Sequence, residues 1–138
     1  MKVNIKWMDK MLFKSEGKRN RYALMDTVEK VGGQDSSLTP KEMILTGLGG
    51  CTGMDTISIL KKMRNMPDRF EIEVEAETEK EFPKEFKSFK IIYKFWGEDL
   101  DNEKIEKAVN LSQDKYCGVS ETLGKAADLD FEIKINEE

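Results

Sequence analysis

Residues 70–77 set the first constraint on this chain. Phe70, Ile72, Val74 and Ala76 alternate with Glu71, Glu73, Glu75 and Glu77, the period-2 pattern of a strand with one buried and one wet face. After a turn around Pro83, Phe89, Ile91, Tyr93 and Phe95 form a second apolar row, with Lys90 and Lys94 on the other side. Pairing the two as a hairpin sets Lys against Glu on the solvated face, worth roughly a few tenths of a kcal/mol per contact. The Glu row therefore reads as a wet sheet face, not an acidic binding site. A sheet with one apolar face needs a covering layer.

The cover is a helix with clear start signals. Thr39 suits the N-cap, Pro40 the first helical position, and Glu42 completes the capping box T-x-x-E. Leu38 and Met43 stand where a hydrophobic staple would. Ile44, Leu48, Cys51, Ile57 and Leu60 share helical faces down to about Asn65. Gly47, Gly49 and Gly50 interrupt the middle, and each costs roughly 1 kcal/mol relative to Ala. Three such residues imply a close approach, by another helix or by a substrate.

Around this centre the chain reads as short elements. Val3, Ile5 and Trp7 alternate with polar residues as in a half-buried strand, and strands at 11–13 and 22–25 follow across a charged turn at Gly17. Val31–Ser37 is a loop by composition. Asp101 caps a helix through Ile105, Ala108, Val109 and Leu111 to about Tyr116. Cys117-Gly118 breaks it, and Val119, Leu123 and Ala126 mark a further short helix. Leu129, Phe131, Ile133 and Ile135 close the chain as a strand. The order is β-β-β-α-β-β-α-α-β, an α+β protein in one domain, 1–138, without repeats.

Charge and hydropathy exclude several function classes. With 23 basic and 27 acidic residues the net charge is −4, and no Lys/Arg cluster supports a nucleic-acid partner. The longest apolar stretches are far too short to span a bilayer. The first seven residues lack the apolar core of a signal peptide, so the cytoplasm is the expected compartment. There a cysteine pair is reduced, redox-active or merely buried rather than a permanent disulfide.

The 138 residues include two cysteines, Cys51 and Cys117, and no histidine. The Cys–His pair and the Ser–His–Asp triad are therefore excluded. A zinc site is nearly excluded as well, since two cysteines alone do not supply three or four good ligands. What remains is thiol chemistry. A peroxidatic cysteine reacts as the thiolate, becomes a sulfenic acid, and is resolved by a second thiol as a disulfide. Three turns into its helix, Cys51 lies beyond the reach of the helix start, so activation needs a cation. Arg19, Arg21, Arg64 and Arg69 are available, and Arg keeps its charge when partly buried. The plain alternative is that a cysteine among Leu48, Gly50 and Met54 is a small buried hydrophobe. Glu42 is equally explained by its capping box, and Arg19 and Arg21 as solvated turn charges.

Two segments carry a family resemblance. Thr39-Pro40-Lys41-Glu42-Met43, running to Leu48-Gly49-Gly50-Cys51-Thr52, resembles the central-helix motif of the OsmC/Ohr family of thiol-dependent peroxidases. Asn110-Leu111-Ser112-Gln113-Asp114-Lys115-Tyr116-Cys117-Gly118-Val119 resembles that family's second-cysteine motif. Between them, Phe82-Pro83-Lys84-Glu85-Phe86-Lys87 and Gly97-Glu98-Asp99-Leu100 also look like the family. The resemblance implies an OsmC-like fold, with antiparallel sheets wrapped on two central helices in an intertwined homodimer and the active site at the interface. It implies a peroxidatic Cys51 and a resolving Cys117, acting on organic hydroperoxides at the expense of dithiols such as lipoylated proteins. It implies no metal and no nucleotide cofactor. The family's catalytic Glu follows the proline of the helix motif. Here Lys41 holds that position and the acid is displaced to Glu42, about 100° round the helix. The family's catalytic Arg lies in an N-terminal turn, and Arg21, at the start of the strand leading to Asp26, is the matching choice. A non-catalytic OsmC-like redox-sensing or small-ligand-binding protein is the alternative function.

Overall fold

The computed structural model describes all 138 residues. They divide into two compact units, Met1–Ile44 and Leu45–Glu138.

In the first unit, β1 (Asn4–Asp9), β2 (Leu12–Glu16) and β3 (Tyr22–Met25) form an antiparallel sheet in that order. Glu16 on β2 is tied to β1 through Lys6 at 2.9 Å and pairs within its own strand with Lys14 at 3.1 Å. The alternation of β1 predicts one buried face, yet all six of its residues are exposed. The strand forms as expected, but no layer within its own unit covers Ile5 or Trp7. The loop after β3 is built round Asp26. Its carboxylate accepts hydrogen bonds from the Thr27 N–H (2.8 Å), the Gln34 N–H (3.2 Å), the Ser36 N–H (3.2 Å) and the Ser36 hydroxyl (2.6 Å). Gly33 belongs to this loop because a Cβ there would sit 1.9 Å from the Thr27 carbonyl oxygen.

Helix α1 (Pro40–Lys62) opens with the predicted reciprocal cap. The Glu42 N–H donates to Thr39 Oγ1 at 3.3 Å, and the Thr39 N–H donates to the Glu42 carboxylate at 2.7 Å. By length and composition alone it could cross a membrane, a test that core helices pass as well; its Leu, Ile and Met residues carry the average, which the glycines and threonines lower. Its contacts are those of a helix laid on a sheet.

That sheet belongs to the second unit and contains β4 (Arg69–Thr78), β5 (Phe86–Trp96) and β6 (Asp128–Ile135). The β4–β5 hairpin has the expected register, with Glu71 opposite Lys94 and Glu75 opposite Lys90. The ion pairs are diagonal to it: Lys94 binds Glu73, and Lys90 reaches across to Glu132 at 3.0 Å. Strand β6 runs parallel to β5, which corrects the expectation of antiparallel sheets throughout. A parallel neighbour requires a long crossover, and α2 (Asn102–Leu111), a π-helical turn (Ser112–Tyr116) and α3 (Gly118–Ala126) provide it. Asp101 caps α2 as predicted, accepting from the N–H groups of Glu103 and Lys104.

The core of this unit joins Leu48 and Leu60 of α1 to Phe89, Ile91, Tyr93 and Phe95 of β5, and to Ile105, Ala108 and Val109 of α2. Two glycines let α1 lie close on β4. A Cβ at Gly49 would come within 3.1 Å of Val74 Cγ2, and one at Gly53 within 2.9 Å of Ile72 Cδ1. Gly47 and Gly50 meet nothing within 4 Å, so only one of the three glycines singled out in the sequence serves this contact.

Candidate active site

Cys51 lies in the middle of α1, half-buried, and Cys117 is buried at the start of α3. At Cys117 the backbone turns extended (φ −78°, ψ 97°), ending the π-helical turn and capping α3. Its sulfur accepts hydrogen bonds from the Ser120 N–H at 3.4 Å and the Ser120 hydroxyl at 3.1 Å. The N-terminal end of α3 thus supplies two hydrogen-bond donors to this sulfur.

The crossover brings this cap against α1. The sulfurs of Cys51 and Cys117 and a carboxylate oxygen of Asp55 all lie within 4.8 Å of one another. Both cysteines are free thiols. Burial pushes the Cys51 thiol above its ordinary pKa; the neighbouring Cys117 and the Asp55 charge push the same way, while the Val119 backbone N–H pulls it down. The surroundings within the chain therefore favour the thiol form of Cys51.

Asp55 went unread in the sequence. The signal was there: it is the one charged residue between Glu42 and Lys61, and its i+4 spacing from Cys51 puts both on one helical face. It also alters the ligand count. Two cysteines and no histidine argued against a metal, but the fold adds a carboxylate to the pair.

Beneath the thiols lies a buried polar network. Thr52 Oγ1 shares hydrogen bonds with Tyr93 Oη at 2.6 Å and with Ser112 Oγ at 2.8 Å. Gln113 Nε2 donates to Tyr93 Oη at 2.6 Å and to Thr52 Oγ1 at 3.1 Å. Ser112 Oγ lies 3.3 Å from Asp55 Oδ2, joining the network to the thiol pair. Thr52, Tyr93 and Ser112 are fully buried. Burial raises the Tyr93 pKa, so the phenol stays protonated.

Of the four residues expected at the site, the fold brings Cys51 and Cys117 together. Arg21 and Glu42 belong to the first unit. Arg21 is exposed, leading from a left-handed turn at Arg19 and Asn20 into β3. Glu42 is held by its cap, and the Thr39 N–H keeps its carboxyl below the ordinary value.

Residues 33–132 match the model of the OsmC-like protein family. The chain belongs to that family. Among curated relatives, this OsmC-like protein is 30% identical to Protein YhfA of Escherichia coli over 98% of both chains. Among solved structures, it superposes on a hypothetical protein from Aquifex aeolicus with a TM-score of 0.81 at 26% identity, covering 99% of this chain and 97% of the other. The organic hydroperoxide resistance protein OhrB of Bacillus subtilis shares the fold, with a TM-score of 0.62 at 16% identity over 99% and 98% of the chains. The order of strands and helices is therefore that of OsmC-like structures, as the two cysteine motifs implied.

Proposed function

We propose that this OsmC-like chain is a thiol-dependent peroxidase that reduces organic hydroperoxides in oxidative-stress defence, in the cytoplasm. The observation that carries the reading is the meeting of Cys51 and Cys117, which come from distant elements of one unit. Cys51, as thiolate, attacks the outer oxygen of the hydroperoxide. The O–O bond breaks, the departing alkoxide takes up a proton to leave as alcohol, and the sulfur becomes a sulfenic acid. Cys117 then displaces the hydroxyl, which leaves as water, and the disulfide forms. A dithiol such as a lipoyl group reduces it.

The thiol of Cys51 has to be ionised for the first step, and its surroundings favour the protonated form. We assign Arg21 as the activating cation and Glu42 as its carboxylate partner, in a homodimer with the site at the interface. The homodimer is supported by apolar surface left uncovered in each unit: Ile5 and Trp7 on β1, and Met54 on α1. Gly47, Gly50 and Met54 fall on one helical face at spacings of three and four.

The deciding experiment is steady-state consumption of an organic hydroperoxide with dihydrolipoamide as reductant. Wild type should cycle and form a Cys51–Cys117 disulfide; Cys51→Ser should not. Undiminished turnover in that variant sinks the assignment. The raised pKa of Cys51 favours one second reading, a redox sensor. That protein would form the disulfide once, slowly, without dithiol-supported turnover.

A further inference from the structure

We propose that Cys51, Asp55 and Cys117 form a binding site for a thiophilic divalent cation of the zinc class. The proposal stands apart from the peroxidase reading, because it needs the three ligands and no oxidant.

The ligand atoms already converge, all within 4.8 Å of one another. In a tetrahedral zinc site, with bonds of about 2.3 Å to sulfur and about 2.1 Å to oxygen, ligand atoms stand roughly 3.5–3.8 Å apart. Closing on the ion therefore takes about 1 Å of side-chain movement. Cys51 and Asp55 face the same way from successive turns of α1, and Cys117 comes in from the cap of α3.

Each ligand is backed from behind, as metal ligands are. Ser120 donates twice to the Cys117 sulfur, the Val119 N–H acts on Cys51, and Ser112 Oγ lies against the Asp55 carboxylate. Asp55 and Cys51 are half-buried, which leaves a fourth position open to water or an exogenous ligand. Binding ionises both thiols and releases their protons to solvent, without any change of oxidation state. Two thiolates, a carboxylate and a dication leave one net negative charge at the start of α3, where a helix tolerates it. Thiolates held by the ion cannot join as a disulfide, so cation and oxidant would compete for the same pair.

The test is an anaerobic titration of the reduced, full-length protein with Co²⁺, followed by Zn²⁺. One equivalent per chain should give a thiolate-to-cobalt charge-transfer band and tetrahedral visible bands, both erased by Zn²⁺. Cys51→Ser and Cys117→Ser should each lower the charge-transfer band, and prior alkylation of wild type should abolish it. Asp55→Asn should weaken binding by about tenfold or more while keeping two free thiols. Zinc-edge X-ray absorption of the loaded wild-type protein, which needs no variant, should count two sulfur neighbours with oxygen completing the shell. Absence of the band at stoichiometric Co²⁺, unchanged affinity in Asp55→Asn, or any sulfur count other than two overturns the site. Peroxide turnover, measured separately in chelator, decides the peroxidase reading by itself.

Discussion

Thr52 and Tyr93 share a 2.6 Å hydrogen bond with both side chains fully buried. This pair pins the residue next to Cys51 to the central strand of the second sheet. Gln113 adds a second bond to the same phenol from the crossover. Tyr93→Phe leaves the ring in place and removes one hydrogen bond from each partner, while Thr52 keeps Ser112 and Gln113 keeps Thr52, so the loss should be about 0.5–1.5 kcal/mol. Denaturant unfolding should show that loss; an unchanged midpoint would mean that water replaces the phenol.

In Arg21→Ala, which lacks the assigned activating cation, Cys51 should be a slow nucleophile at neutral pH. Its folded thiol is raised chiefly by burial, with Cys117 and Asp55 adding to the effect. Alkylation of Cys51 in an Arg21→Ala, Cys117→Ser background should therefore accelerate above the ordinary thiol range, and Asp55→Asn should move the profile to lower pH. The linked stability has a definite sign. The protonated thiol is favoured by the fold, so its contribution is complete below the unfolded pKa and disappears as pH rises through the folded one. The alkaline loss of stability should be smaller in Cys51→Ala.

The helix glycines should separate by substitution with Ala. At Gly49 the new methyl would press on Val74 Cγ2 at 3.1 Å, and the branched valine has little rotamer freedom, so Gly49→Ala should destabilise. At Gly50 there is open space within the chain, so Ala should stabilise the monomer by up to about 1 kcal/mol. In the proposed homodimer the same methyl would stand between chains and weaken association. Thermal melts combined with sedimentation velocity test both halves.

Asp26 should confer acid sensitivity on the first unit. The Ser36 hydroxyl first, then the surrounding backbone N–H groups, hold its carboxyl below the ordinary value. Its contribution is present above the unfolded pKa and is lost as pH falls through the folded one. Asp26→Ala should lower the melting temperature at pH 7, speed proteolysis between residues 26 and 36, and flatten the acid limb of the stability profile.

Local elements were legible because their causes are local. Thr39 and Glu42 cap α1 through groups three residues apart, Asp101 caps α2, and the alternation from Phe70 to Glu77 fixes which face of β4 is wet. The half-buried face expected for β1 was not found, because alternation announces an apolar face but cannot supply the layer that covers it. The direction of β6 was misjudged for a related reason. Alternation is the same in parallel and antiparallel strands, and only the two-helix crossover returns β6 alongside β5 in the same sense.

By itself, the sequence determined the inventory: two thiols, no histidine, a capped central helix, and the succession of strands that places the chain among OsmC-like proteins. Tertiary structure decided what the thiols meet. Cys51 depends on its own helix only for its direction; its neighbour Cys117 arrives through the crossover, and Tyr93 and Ser112 from the sheet and the crossover hold the adjoining Thr52. Asp55 shows the division most clearly. Its helical spacing from Cys51 is written in the sequence, but the presence of a second sulfur within 4.8 Å is not. Periodicity and caps act over a few residues, whereas a cluster of three acidic groups exists only where packing forces distant segments together.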